Sequence, residues 1–313
     1  MLYKENEKSR MYKRRESIYR QGYLELYLML IIPLLILLVF KYIPMVGIIM
    51  AFQDYNIFEG ILKSKFIGVE HFRNIFSNPD FYRVLWNTLF INIYKMCFYI
   101  PLPVILAIFI YEIVNARIKK IVQTIVYLPH FLSWVIVGGI FTSLLAVNGG
   151  LVNEVIGRLG GAPVRFMYDK RVFREVIVVS AMWKEIGFGT VVYLGAIAGI
   201  DTQMYEAAVI DGASKVKQIL HITIPSLVST IMVMLIMSLG NLLNNSFEQI
   251  FVMYNPAVYD VADVISTYVY RYGIGEMQYG FSTAVGLFNG VVGLILVLST
   301  NKMCSKFFGK TLW

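Results

Sequence analysis

The sequence has 313 residues, of which 58% are hydrophobic and only 15% are charged, and its formal net charge is +8. A water-soluble domain does not need so much apolar surface, and here the apolar residues form long blocks. Such blocks predict membrane-spanning helices, because about 20 apolar residues cross the hydrocarbon core and the backbone must bond to itself there. No stretch alternates apolar and polar residues over roughly ten positions, which argues against a membrane β-barrel.

Six apolar blocks follow one another along the chain and predict an all-α integral membrane protein with six transmembrane helices. The predicted spans cover about 24–51, 85–113, 124–146, 172–199, 226–253 and 281–301. We expect a single membrane domain over 24–302, with a basic N-terminal segment, 1–23, before it and a tail, 303–313, after it. The first block is too long for the apolar part of a cleaved signal peptide, so it is interpreted as a retained span.

The distribution of basic residues favours cytoplasmic N and C termini. In that orientation the cytoplasmic segments carry fifteen Lys and Arg residues and the outer loops carry nine. This bias agrees with the positive-inside rule. It also explains the net charge without nucleic acid as a partner. The two cysteines, Cys97 and Cys304, lie far apart, so they predict neither a disulfide framework nor a metal site.

The most informative segment is the predicted cytoplasmic loop 200–225 between spans four and five. Its notable residues are Glu206, Ala207, Ala208, Asp211, Gly212, Ala213, Ile222 and Pro225. We expect two short helices joined at Gly212, because glycine permits a chain reversal. Asp211 and Ser214 can cap the second helix, and Pro225 suits the first turn of span five. The small alanines permit close docking, so the loop predicts a contact surface for another subunit.

This loop resembles the EAA loop in the permease subunits of binding-protein-dependent ABC importers, with Ile224 in place of the usual leucine. In that family the loop is the coupling helix, which sits in a cleft of a separate ATPase subunit. Other segments are similar to the LplB-like branch of the maltose-type carbohydrate-uptake class. They are Tyr42–Gly47, Ala51–Asn56, Tyr127–Trp134, Trp183–Phe188, Phe247–Ile250, Thr267–Arg271 and Ala284–Phe288.

The resemblance implies a type I ABC importer permease fold, a bacterial plasma membrane location and a role in oligosaccharide import. The implied partners are a second homologous permease, two ATP-binding subunits, an extracellular solute-binding lipoprotein, the oligosaccharide and the lipid bilayer. ATP and Mg²⁺ belong to the ATP-binding subunits, so we expect this chain to be non-catalytic and to bind no cofactor. The alternative is a self-sufficient secondary transporter or channel for a small polar solute, but the two halves show no convincing internal repeat.

An enzyme is poorly supported by the remaining motifs. The tail contains Gly309-Lys310-Thr311, but a phosphate-binding loop needs another glycine at position 304, which is Cys304. The three histidines are scattered, so no metal site is predicted.

Polar residues inside the predicted spans are candidates for the solute path, because such groups are costly in lipid and tend to face a cavity. Span five offers Asn241, Asn244, Asn245 and Glu248, which follow helical spacing and share a face. Amides donate and accept hydrogen bonds, which suits sugar hydroxyls. Spans four and six add Trp183, Tyr193, Phe288 and Asn289. In the alternative interpretation the asparagines hold helices together.

Two charged residues near the middle of span four, Lys184 and Glu185, are compatible with contact to a charged solute. We expect them instead to be structural, with Lys184 bonded to a neighbouring span or subunit. On span six, Gly286, Gly290 and Gly293 predict a close-packing stripe rather than a site.

Overall fold

The computed structural model describes residue 23 and residues 25–240, 242–243 and 246–308. In chain order the helices are α1 (Glu25–Phe52), α2 (Gly60–Lys63), α3 (Glu70–Ser77), α4 (Pro79–Tyr99), α5 (Pro101–Tyr111), α6 (Ala116–Tyr127), α7 (Trp134–Leu144), α8 (Leu151–Arg158), α9 (Phe173–Ala198), α10 (Thr202–Ile210), α11 (Lys215–Gln218), α12 (Ile224–Gly240), α13 (Phe247–Met253), α14 (Tyr259–Ala262), α15 (Ile265–Tyr270) and α16 (Tyr279–Phe308). A two-residue antiparallel ladder joins β1 (Gln53–Asp54) to β2 (Lys65–Phe66).

Five helical stretches of the described chain are long and apolar enough to cross a membrane, and a sixth crossing results if two bent helices count as one span. The five stretches are α1, α4 with α5, α9, α11 with α12, and α16, and the bent pair is α6 and α7. The second span starts at Pro79, earlier than predicted, because Asn78 caps it by accepting the N–H of Asp80. The last helix extends to Phe308, so much of the predicted tail 303–313 is helical.

The third span is broken, which corrects the prediction of one continuous helix over 124–146. A 3₁₀ turn, Leu128–Phe131, follows α6, and α7 then leaves at an angle of 102°. Ser133 begins α7 by accepting the N–H of Ile136. Residues 114–123, between the predicted second and third spans, are mostly helical as well, because Asn115 caps α6.

The fifth span is also interrupted, which corrects the prediction of a helix over 226–253. It ends at Gly240, and Leu242, Leu243 and Ser246 lie in turns before α13 begins. Glu248, the fourth member of the face predicted on span five, therefore lies on α13 and not on the preceding helix. The other three members of that face, Asn241, Asn244 and Asn245, lie outside the described residues.

A polar network ties the segment 254–278 to the second and fourth spans. Asn87 donates to the carbonyl oxygens of Asp260 and Asp263 at 3.0 and 3.2 Å, and it accepts from Arg174 at 2.7 Å. Arg174 also donates to the Val261 carbonyl. The backbone of this segment is thus held by side chains from two spans, which we expect to keep this end of the bundle rigid.

The buried carboxylate in this segment belongs to Asp263, which is 3% exposed. It accepts hydrogen bonds from Thr267 at 2.7 Å and from Arg271 at 2.6 Å. Burial raises the pKa of the Asp263 carboxyl above its ordinary value, although Thr267 and Arg271 oppose this effect. A raised pKa in the folded state means that the contribution to stability is present at low pH and is lost as pH rises through that pKa.

We therefore expect Arg271→Met to destabilise the protein more at pH 8 than at pH 5, by roughly 1–3 kcal/mol at the higher pH, because the carboxylate loses its cation. Thermal unfolding of the purified complex measures this. Lys170→Met is the control, since its ion pair with Asp260 is half-exposed on both sides and contributes little. An equal loss at both pH values for Arg271→Met would contradict the assignment.

Candidate solute cavity and coupling loop

A polar cavity of about 210 Å³ lies beside the interruption of the fifth span, where the second, third and fourth spans also meet. Its polar and aromatic lining consists of Asn92, Lys95, Tyr99, Trp134, Glu185, Ser238 and Gln249. Polar groups are costly at membrane depth unless they line a cavity or bond to one another. The concentration of such residues at one place makes this cavity the candidate solute site.

Lys95 is the cation at the centre of one hydrogen-bonded group in the cavity, and it is 6% exposed. Its ammonium group donates to the Ser246 hydroxyl at 2.8 Å and to Gln249 Oε1 at 2.6 Å. Ser246 in turn donates to Asn92 at 2.9 Å. Gln249 is fixed from its other end, because its amide donates to the carbonyl of Ile177 at 2.6 Å. All the side chains bonded to Lys95 in the described chain are uncharged.

Lys184 and Glu185 form a second group with His130, at the break in the third span. Lys184 donates to the His130 carbonyl at 2.7 Å and lies 3.3 Å from Glu185. The His130 ring contacts the other Glu185 oxygen at 2.8 Å and stacks on Phe188. The structural role expected for Lys184, a bond to a neighbouring span, agrees with this contact.

Both buried lysines contact residues at interruptions of neighbouring spans. A broken helix leaves backbone groups without their intrahelical partners, and such groups need other partners at membrane depth. Lys184 bonds the carbonyl of His130 at one break, and Lys95 bonds side chains at the start of α13 at the other. The two lysines therefore fix the residues at both interruptions, beside the cavity.

The described residues that the sequence predicted for the solute path lie outside this cavity. Tyr193 is 1% exposed and packs in a core cluster with Ala107 and Leu227. Phe288 packs edge-on against Phe81. Both side chains pack against the helix core and do not border the cavity.

The other three predicted path residues that the structure describes are more exposed or line a different surface. Trp183 is 40% exposed and contacts Phe141 edge-on, and Glu248 is exposed in the first turn of α13. Asn289 is buried and lines a separate groove with Tyr270. None of them borders the cavity described above.

Sequence reasoning missed Lys95 and its neighbours. The available signal was a lysine in the middle of an apolar block, with Asn92 one helical turn before it. An intramembrane charge is by default a candidate functional residue. The contributions of Trp134 and Gln249 could not be found in the same way, because they depend on where the two broken spans turn.

The predicted loop 200–225 folds as two short helices, α10 and α11, that reverse at Gly212. Gly212 has φ +72°, and its N–H donates to the Val209 carbonyl at 3.0 Å. The N–H of Ala213 donates to the Ala208 carbonyl at 2.8 Å. This pairing satisfies the last carbonyls of α10 and is typical of a helix that ends at glycine.

Three details of the loop differ from prediction. Asp211 ends α10 rather than capping α11, and Ser214 occupies the N-cap position of α11 without a side-chain hydrogen bond. Pro225 lies in the first turn of α12, as predicted, but the helical stretch does not start there, because it is continuous from Lys215. A π-helical turn, Ile219–Thr223, directly precedes the proline. Because proline cannot donate a backbone hydrogen bond and its ring crowds the carbonyl four residues back, a departure from α-helical geometry is expected there.

Much of the loop is exposed. Glu206, Ala207, Asp211 and Gly212 are all accessible, whereas Ile222 is buried. Two large apolar side chains beside the turn, Val209 and Ile210, are 62% and 86% exposed. Exposed apolar residues around a rigid turn form a surface suited to another protein.

The fold and the intramembrane cavity define a transport subunit, and comparisons with known proteins specify its type. The model of the family described as "binding-protein-dependent transport system inner membrane component" matches residues 96–303. Two relatives come from Bacillus subtilis (strain 168). The polygalacturonan/rhamnogalacturonan transport system permease protein YteP is 43% identical over 90% of this chain and 88% of its own length. Protein LplB is 44% identical over 90% of this chain and 89% of its own length.

A solved structure agrees with these relatives. A chain in the crystal structure of a bacterial ABC transporter involved in the import of the acidic polysaccharide alginate has a TM-score of 0.85 and 39% identity to this chain. The match covers 94% of this chain and 99% of that one. This chain belongs to the family of binding-protein-dependent transport system inner membrane components. It is a plasma-membrane permease subunit of a bacterial ABC importer for sugars or oligosaccharides, with the type I permease fold.

Proposed function

We propose that this permease imports oligosaccharides that carry acidic sugar units, and that the cavity around Lys95 belongs to its half of the path. The observation that carries the proposal is the electrostatic character of the cavity. Glu185 is engaged by His130 and Lys184, whereas Lys95 forms no ion pair among the described residues. Counted with Lys184 behind the lining, two lysines stand against the one carboxylate of Glu185, and this positive balance favours a solute carboxylate.

The chemistry of the lining suits a sugar as well as a charge. Asn92 carries an amide group that donates and accepts hydrogen bonds, Gln249 adds an amide oxygen, and Trp134 and Tyr99 offer aromatic surface. The relatives support an acidic substrate. YteP is named for polygalacturonan and rhamnogalacturonan, and the structural relative is described for alginate, an acidic polysaccharide.

The proposed assembly is the one expected for an importer of this family. This chain pairs with a second homologous permease, two ATP-binding subunits that hold ATP and Mg²⁺, and an extracellular solute-binding lipoprotein. The N and C termini face the cytoplasm, where the exposed turn at Gly212 contacts an ATP-binding subunit. Solute recognition begins at the lipoprotein, and this chain is non-catalytic. A structural relative was solved with a pentasaccharide-bound periplasmic protein, which supports the lipoprotein partner.

The test is uptake by the complete complex in proteoliposomes, with the cognate lipoprotein present. The two solutes are an oligogalacturonate and a neutral galacto-oligosaccharide of equal length. We expect the native complex to prefer the acidic solute. Lys95→Gln keeps hydrogen bonding but removes the charge, so it lowers acidic uptake roughly ten- to hundredfold, as expected for loss of one hydrogen bond to a charged group.

Lys41→Gln is the matched control, because Lys41 is an exposed lysine of α1 that does not border the cavity. It should transport like the native complex. Unchanged acidic uptake by a fully assembled Lys95→Gln complex would reject the role of Lys95. Native uptake of only the neutral solute would reject an acidic substrate, while the assignment to the permease family would stand.

A further inference from the structure

One contact in the coupling loop joins its two ends directly. The Tyr205 hydroxyl, in α10, lies 2.9 Å from the Thr223 hydroxyl, at the end of the π-helical turn. The residues are 18 positions apart in sequence, and Thr223 is only 4% exposed. Tyr205 directly precedes Glu206, so the contact lies immediately behind the exposed surface of the loop.

This hydrogen bond attaches α10 to the fifth span in addition to the chain itself. At one end of α10 the chain reverses at the turn, where the buried amide of Gln218 donates to the Ala213 carbonyl at 3.0 Å. At its other end α10 continues from α9 through residues 199–201. The bond at Tyr205 therefore fixes this part of α10 against the start of α12.

The π-helical turn sets the position of Thr223 in this arrangement. A π turn places one extra residue in a helix, which rotates the residues on one side of it relative to those on the other. Here the turn covers Ile219–Thr223, between α11 and α12. Thr223 is thereby buried facing α10, next to Ile222, and α12 continues from it without interruption.

We propose that the Tyr205–Thr223 hydrogen bond is the positioning contact that makes α10 and the fifth span move as one body. A displacement of α10 by the ATP-binding subunit then reaches α12. The far end of α12 lies beside the cavity, where Ser238 contributes to the lining. This inference rests on the proposed contact between the loop and the ATP-binding subunit, and it adds the pair of residues that transmits the displacement.

A second contact of the loop is a weaker candidate. Lys215 lies 3.1 Å from Glu112, at the end of the second span, and the two side chains are 69% and 37% exposed. Exposed ion pairs are worth little. Lys215→Gln is therefore the control for a polar contact of the same loop that does not position α10.

The experiment measures solute taken up per ATP hydrolysed by the complete complex in proteoliposomes. The variants are Tyr205→Phe and Thr223→Val, which remove one hydroxyl each with little change of shape, and the double variant. We expect each single variant to lower the ratio roughly threefold to tenfold, with ATP-binding subunits still co-purifying. The double variant should match the single variants, because either change removes the same bond. Thr223→Ser keeps the hydroxyl, so this variant should show the same ratio of solute to ATP as the native complex.

Three results would overturn the proposal. They are an unchanged ratio in both single variants, equal falls in uptake and hydrolysis, and effects that add in the double variant. The first result would show that the hydrogen bond does not transmit the displacement. The second would show only a loss of intact complex, and the third would show that the two hydroxyls act independently. Failure of the proposed function is recognised separately, since the native chain would then neither co-purify with ATP-binding subunits nor show ATP-dependent uptake.

Discussion

A complex that carries Gly212→Pro should assemble but lose coupled transport, with uptake reduced at least about a hundredfold. Gly212 has φ +72°, and proline fixes φ near −65°, so the reversal between α10 and α11 cannot form in its native geometry. The substitution also removes the N–H that donates to the Val209 carbonyl. Because the exposed surface of the loop depends on this turn, the ATP-binding subunit would meet a displaced α10.

Uptake and solute-stimulated ATP hydrolysis in proteoliposomes measure this loss. Gly212→Asn is the matched control, because asparagine tolerates a positive φ and keeps the backbone N–H. Nothing lies within 4 Å of a Cβ atom added at position 212, so a side chain fits there. Native transport by an assembled Gly212→Pro complex would show that the loop is not the coupling element. Glu206→Ala should weaken ATPase docking more mildly, since it removes one exposed charge and leaves the turn intact.

The two-helix fold of the loop 200–225 was predictable because its signals are local. The turn needs glycine at a position of positive φ, and the helices on either side need only a few residues each. The apolar blocks were likewise visible in the sequence, since a membrane-spanning helix is defined by its own composition. These features account for the order of the helices and for the two-helix loop that reverses at Gly212.

The broken spans were not predicted, because hydropathy does not distinguish one long apolar helix from two bent ones. At the third span, Ser133 before the apolar run of α7 was a possible start signal. The bend itself is held by Lys184, 54 residues later in the chain, which bonds the His130 carbonyl. A contact of that range has no local pattern.

The cavity was only partly predictable, because some of its residues stand out in the sequence and others depend on long-range packing. Lys95 stands out as a charge within an apolar block, so its functional interest follows from the sequence alone. Tyr193 stands out in the same way as a polar-tipped residue, yet it packs among Ala107 and Leu227. Only the packing of α9 against α5 distinguishes a tyrosine of the core from one that lines a path.

The approach of the fourth span to the third depends on Gly187. A Cβ atom at this position would lie 2.1 Å from the backbone oxygen of Val126 and 3.1 Å from the Cα atom of Tyr127. These are backbone atoms of α6, so no side chain can rotate away to make room. The same stretch of α9 carries Lys184 and Glu185, which hold His130 at the break.

We therefore expect Gly187→Ala to destabilise the permease by about 1–3 kcal/mol, the range for an overpacked site. Separation of α9 from α6 would also move Lys184 from the His130 carbonyl, so uptake should fall together with thermal stability. Gly195→Ala is the matched control, because it lies on the same helix and an added Cβ atom there meets nothing within 4 Å. That variant should be neutral or slightly stabilising, since alanine favours a helix more than glycine does. Fluorescence-detected size-exclusion chromatography after heating measures both variants. Equal stability of the two would mean that α6 and α9 can move apart without loss, and that the break in the third span is held by its own sequence.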